Sequence, residues 1–77
     1  MSTAIVSGSI VQIGETAGMI WHTLDEQGPQ SIAKLTKLVD APRDTILQAI
    51  GWLAREDKIE IEENGRGRTI SLRANSV

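Results

Sequence analysis

The stretch "ILQAIGWLAREDKIEIEENGRGRTISL", residues 46–72, changes its hydrophobic period halfway along. Up to Glu56 the apolar residues recur every three or four positions, which is typical of an amphipathic helix with one buried face. After Lys58 apolar and polar residues alternate on both sides of "NGRG", which is typical of a hairpin with a tight turn. The stretch therefore predicts a helix over about 42–56 and a hairpin that turns at residues 64–67.

Two more helices are predicted upstream. The first extends over about 12–27, where Gly28 can cap it and Pro29 prevents its continuation. Ser31 can cap a short second helix, and Pro42 suits the first turn of the third helix. The apolar stripes expected to be buried are Ile13, Ala17, Ile20, Trp21 and Leu24 in the first helix, Ile32, Leu35, Leu38 and Val39 in the second, and Ile46, Ala49, Ile50, Leu53 and Ala54 in the third.

The hairpin alternation separates two faces. We expect Ile59, Ile61, Ile70 and Leu72 to face inward, and Glu60, Glu62, Thr69 and Ser71 to face outward. The residues "PQSI", 29–32, could add a short third strand. This order predicts an α+β fold, a winged helix-turn-helix with a three-helix core and a C-terminal two- to three-stranded antiparallel β-wing. We predict a flexible segment at 1–9, the winged domain at 10–73 and a flexible tail at 74–77.

Composition limits the classes of function. A chain of 77 residues forms one small domain. It has no cysteine and one histidine, His22, whereas a metal site needs three or four ligands. "GRGR" lies in a hairpin turn and does not open a helix, so it lacks the geometry of a nucleotide-binding loop. We therefore expect no catalytic residues, no metal, no cofactor and no enzyme activity. The absence of an apolar run of about 20 residues argues against membrane insertion and favours a cytoplasmic location.

Two segments, "IGETAGMIWHTL" (13–24) and "AIGWLAREDKIEIEENGRGRTISL" (49–72), resemble a known family. They are similar to the small stand-alone bacterial winged helix-turn-helix proteins whose domain has no known function. The resemblance covers about residues 13–72 and is most specific from Gly51 to Lys58. It implies the fold and brings no activity, substrate or partner with it.

A helix-turn-helix raises the hypothesis of DNA binding. The third helix would enter the major groove with its outward residues, where Gln48 could contact an adenine and Arg55 a guanine or a phosphate. Asp44 on the same face opposes a polyanion. The chain has 8 Lys and Arg against 10 Asp and Glu, whereas nucleic-acid binders usually carry a basic excess or a basic face.

The wing offers further cations. Arg66 and Arg68 lie at a glycine-rich tip that could reach a minor groove or a phosphate, and the second helix could add backbone contacts. The alternative is that the two arginines only balance Glu62 and Glu63 across the hairpin. The residues predicted to bind double-stranded DNA weakly are Lys34, Lys37, Gln48, Arg55, Arg66 and Arg68.

Gly51 and Trp52 support two interpretations. A glycine inside a helix costs about 1 kcal/mol relative to alanine. Gly51 either relieves crowding while Trp52 covers the base of the wing or the second helix, or both form an apolar patch for a protein partner or a homodimer. Gly18, Met19 and the apolar residues 4–6 could extend that patch. The sequence thus predicts a non-enzymatic winged-helix binding domain, either nucleic-acid-binding and transcription-related or a protein-interaction module.

Overall fold

The computed structural model describes residues 2–65 and 67–73, and for residues 2–8 and 64 it describes the backbone alone. These residues form α1 (Ser2–Gln27), β1 (Gln30–Ser31), α2 (Ile32–Leu38), α3 (Arg43–Arg55), β2 (Ile59–Asn64) and β3 (Gly67–Leu72). The antiparallel sheet has β3 in the middle, paired with β1 on one side and β2 on the other. The predicted winged helix-turn-helix fold is confirmed, including the short strand β1.

Local signals end and start these elements as predicted. Gly28 has a φ of 83° and donates its N–H to the Leu24 carbonyl at 2.9 Å, which caps α1. The Ser31 hydroxyl accepts the Lys34 N–H at 3.0 Å and caps α2. Pro42 is the N-cap of α3. The pairing of residue 64 with residue 67 closes the hairpin where the sequence predicts its turn.

The core consists of aliphatic side chains from every helix and from the wing. Ile20 of α1, Leu35 of α2, Ile46 of α3 and Ile70 of β3 are fully buried. Trp21 is half-buried against this core, whereas Trp52 is 46% exposed. The helices therefore pack without an enclosed aromatic ring.

Three residues predicted to be buried are exposed, which makes those expectations wrong. Ile61 faces Ile70 across the ladder yet is 42% exposed, because β2 is an edge strand whose buried core residue is Ile59 at its start. Ala54 lies about 100° beyond Leu53 around α3, outside the buried stripe. Leu38 is the last residue of α2 and is exposed there.

Helix α1 begins ten residues earlier than the predicted start near residue 12. Among the residues from 9 onward, whose side chains are described, core packing begins at Ile13, and Ile10 and Val11 are 56% and 55% exposed. The predicted start was based on the apolar stripe that begins at Ile13. A helix can begin before its buried stripe does. The predicted domain limits stay predictions, and residues 74–77 lie outside the described residues.

Gly51 lies on the exposed side of α3. A Cβ added there would meet no described atom within 4 Å beyond its chain neighbours and its own helix backbone. Nothing else in the described chain therefore requires a glycine at this position.

Gly51→Ala should raise the free energy of unfolding by about 0.5–1 kcal/mol, because alanine has the higher helix propensity and the site is open. Thermal and urea denaturation of the dilute protein would measure the gain. Gly28→Ala is the matched control: its site is equally open, but its φ of 83° is strained for alanine, so that variant should lose stability. A Gly51→Ala variant that gains nothing would contradict an open site.

Candidate nucleic-acid interface

A groove of about 640 Å³ separates the tip of the wing from α2 and the start of α3. We call it the wing groove. It forms because β1 ties β3 to the residues that precede α2, so the hairpin runs alongside that helix. Its lining residues are Ser31, Ile32, Ala33, Thr36, Arg43, Glu63, Gly65, Gly67 and Arg68.

The wing groove contains two cations and one acid. Arg43 is the first residue of α3 and Arg68 lies in β3 beside the turn. Arg68 Nε donates to Glu63 Oε2 at 3.3 Å, and both side chains are exposed. This is the cross-strand pair expected from the charge-balance alternative. Exposed pairs contribute little free energy, so Arg68 can exchange Glu63 for another anion at small cost.

The other predicted DNA-binding residues that the structure describes do not line this groove. Lys34 and Lys37 are exposed on α2, each following a groove-lining residue in sequence. Gln48 is exposed on the outer face of α3, as is Asp44. Arg55 ends α3, about 18 Å along the helix axis from Arg43, so the fold does not bring it to the groove. Arg66 lies outside the described residues.

Arg43 is a groove residue that the sequence analysis left out. Its charge is adjacent to that of Asp44 in sequence, but consecutive helix residues point about 100° apart. Arg43 therefore lines the wing groove while Asp44 does not. An arginine at the first position of the helix after the turn, in a chain with arginines at the tip of its hairpin, is the signal that could have identified it.

Trp52 lies on the other side of α3. It lines a cleft of about 270 Å³ between α1 and α3, which we call the tryptophan cleft. Neither the wing groove nor α2 is part of that cleft. The lining residues are Gly14, Ala17, Gly18, Trp21, Trp52, Leu53, Glu56 and Lys58. Arg43 and Arg68 on one side and Trp52 on the other thus line two separate cavities.

The remaining polar clusters are small. His22 Nε2 lies 3.5 Å from Glu26 Oε2 on the exposed side of α1. Within residues 2–65 and 67–73, no group of three or more His, Cys, Asp or Glu side chains is arranged to hold a metal ion. In the same part of the chain, none of the helices combines the length and the apolar character needed to cross a membrane.

Proteins with this fold and sequence pattern are known. The uncharacterised protein MJ1608 of Methanocaldococcus jannaschii is 40% identical over 65 residues, which cover 80% of this chain and 91% of the relative. The crystal structure of AF1382 from Archaeoglobus fulgidus has a TM-score of 0.63 at 19% identity, covering 82% of this chain and 69% of that one. The ArsR family transcriptional regulator RHA00566 has a TM-score of 0.62 at 19% identity, covering 87% and 73%.

At 19% identity, the two structural likenesses show the fold alone. The relative from Methanocaldococcus jannaschii and a family model also show the family of the chain. That model, described as a winged helix-turn-helix domain (DUF2582), matches residues 8–72 and confirms the resemblance drawn from residues 13–72. The chain therefore belongs to this winged helix-turn-helix family.

Proposed function

We propose that the domain is a non-enzymatic, transcription-related factor that binds double-stranded DNA weakly, with the wing groove over one phosphate backbone. The observation that carries the proposal is the placement of Arg43 and Arg68 in one groove beside a helix-turn-helix. Arginine is well suited to phosphate oxygens because its planar fork donates several hydrogen bonds. The name of the structurally similar ArsR family regulator supports a transcription-related role.

The proposed contacts combine positioning with limited base readout. Arg43 and Arg68 would each contact a phosphate along the groove, and Lys34 and Lys37 would contact the backbone beside α2. Gln48 would face base edges from the exposed side of α3. Arg55 would meet a phosphate farther along the duplex, and Arg66 is included from the sequence alone.

The charge of the domain limits this affinity. The formal net charge is −2, and Asp44 and Glu63 lie among the proposed contacts. With roughly three to five phosphate contacts, affinity should fall about 40- to 500-fold between about 50 and 200 mM salt. A binding site of this composition is largely independent of sequence.

The double variant Arg43→Gln/Arg68→Gln should lower the slope of log affinity against log salt by about 1.8, because two phosphate contacts are lost. Fluorescence anisotropy with a short labelled duplex, repeated over a salt series, measures that slope. Single variants at Lys34 or Lys37 should each lower it by about half as much.

The matched control is Lys58→Gln. It removes a positive charge beside Glu56 in the tryptophan cleft, away from the wing groove, and should leave the slope nearly unchanged. Equal losses in the control and in each groove variant would show general charge attraction and refute a site in the groove.

Glu63→Gln should strengthen DNA binding several-fold at low salt, because it removes a negative charge from the groove and releases Arg68. Glu60→Gln is the control on the same strand: Glu60 is exposed opposite Ser71 and does not line the groove. The same anisotropy titration compares them. If Glu60→Gln strengthens binding as much as Glu63→Gln, the Glu63–Arg68 pair has no special role.

A further inference from the structure

Helix α1 extends to Ser2, well ahead of Ile13, and carries exposed apolar side chains at Ile10 and Val11. At about 1.5 Å per residue, a helix from residue 2 to 27 is about 39 Å long, close to the 43 Å length of the molecule. Core packing begins at Ile13, and Ile10 and Val11 before it are more than half exposed. We call residues 2–12 the N-terminal arm. Its sequence contains no charged residue, and five of its eleven residues are apolar.

Two glycines continue the arm toward the tryptophan cleft. Ile10, Gly14 and Gly18 are spaced by four and lie on one face of α1. A Cβ added at either glycine would meet no described atom within 4 Å, outside its neighbours and the local helix backbone. Both glycines line the tryptophan cleft together with the half-exposed Trp52. Along this face of α1, the exposed side chain of Ile10 is thus followed by the open tryptophan cleft.

We propose that two copies of this chain form a homodimer through antiparallel α1 helices that cross at Gly14. The two-fold axis then pairs residues at equal distances on either side of Gly14. Ile10 of each copy enters the tryptophan cleft of the other, opposite the partner's Gly18 and beside the partner's Trp52. This interface extends the apolar patch predicted around Trp52, and it lies outside the wing groove.

Size and charge favour a second copy as the occupant. A two-fold interface must complement itself, and this pairing places the large Ile10 against a glycine and brings glycines together at the axis. In this register the arm lies against the partner's residues 16–26, and because the arm carries no charge, the acids of that segment meet no like charge on it. Glu15, the first acid of α1, falls opposite the partner's Ile13 and not opposite the partner's Glu15.

The oligomeric state of the full chain tests the pairing. Sedimentation velocity from about 10 μM to 1 mM should show the mass rising to twice that of one chain. Gly14→Leu should keep the protein at the mass of one chain, because the added side chain separates the helices. Its unfolding temperature in dilute solution should not fall, since the site is open in the single chain and leucine favours helix.

Met19→Lys is the matched control, because Met19 is another exposed apolar residue of α1. It lies about 140° around the helix from Gly14 and should leave the dimer intact. A native protein that has the mass of one chain at every concentration overturns the proposal and leaves the cleft to a different protein. So does a dimer unaffected by Gly14→Leu.

A charge exchange tests the antiparallel register. Ile10→Lys and Gly18→Glu should each weaken the dimer at least ten-fold, and the double variant should recover most of that loss. Antiparallel pairing sets each new lysine against a new glutamate, whereas parallel pairing sets like charges together. The two positions are too far apart on one helix to pair within a chain. No recovery in the double variant would refute the proposed register.

Discussion

Four fully buried aliphatic side chains hold the domain together: Ile20, Leu35, Ile46 and Ile70. Each comes from a different element, so each helix and the middle strand must be in place for the others to be covered. Because the strand is attached to the same core as the helices, the wing has a fixed orientation relative to α3. The wing groove therefore depends on this core packing together with the pairing of β1 and β3.

Much of the fold was predictable because local signals agreed with one another. The change from a helical to a two-residue period, the cap at Ser31 and the turn at Gly65 each specify their own segment. The errors have a different origin. Periodicity identifies the face on which Ile61 lies, but it does not tell how far the neighbouring helix extends over that face. The start of α1 at Ser2 was missed for a similar reason. The prediction relied on an apolar stripe, and that stripe begins only at Ile13.

The candidate site was only partly predictable. Helical spacing correctly placed Gln48 and Asp44 on the exposed side of α3, because that inference needs a single helix. The positions of Arg43 and Trp52 depend on how separate elements pack. The predicted patch joined Trp52 to Gly51 and extended it to Gly18 and Met19. In the structure Gly18 lines the tryptophan cleft with Trp52 and Gly14, whereas Gly51 and Met19 do not. Which residues line the groove and the cleft depends on how separate elements pack, so no short stretch of sequence contains that information.

The strand order also constrains how this protein is made. The middle strand β3 is the last element of the described chain, yet β1 and β2 form ladders only with it. Synthesis proceeds from the N-terminus at about 5–20 residues per second, so both outer strands leave the ribosome before their common partner exists. Until Ile70 emerges, the three helices have an open core and two unpaired strands. The three-stranded sheet can therefore form only after the last of its strands in sequence has been synthesised.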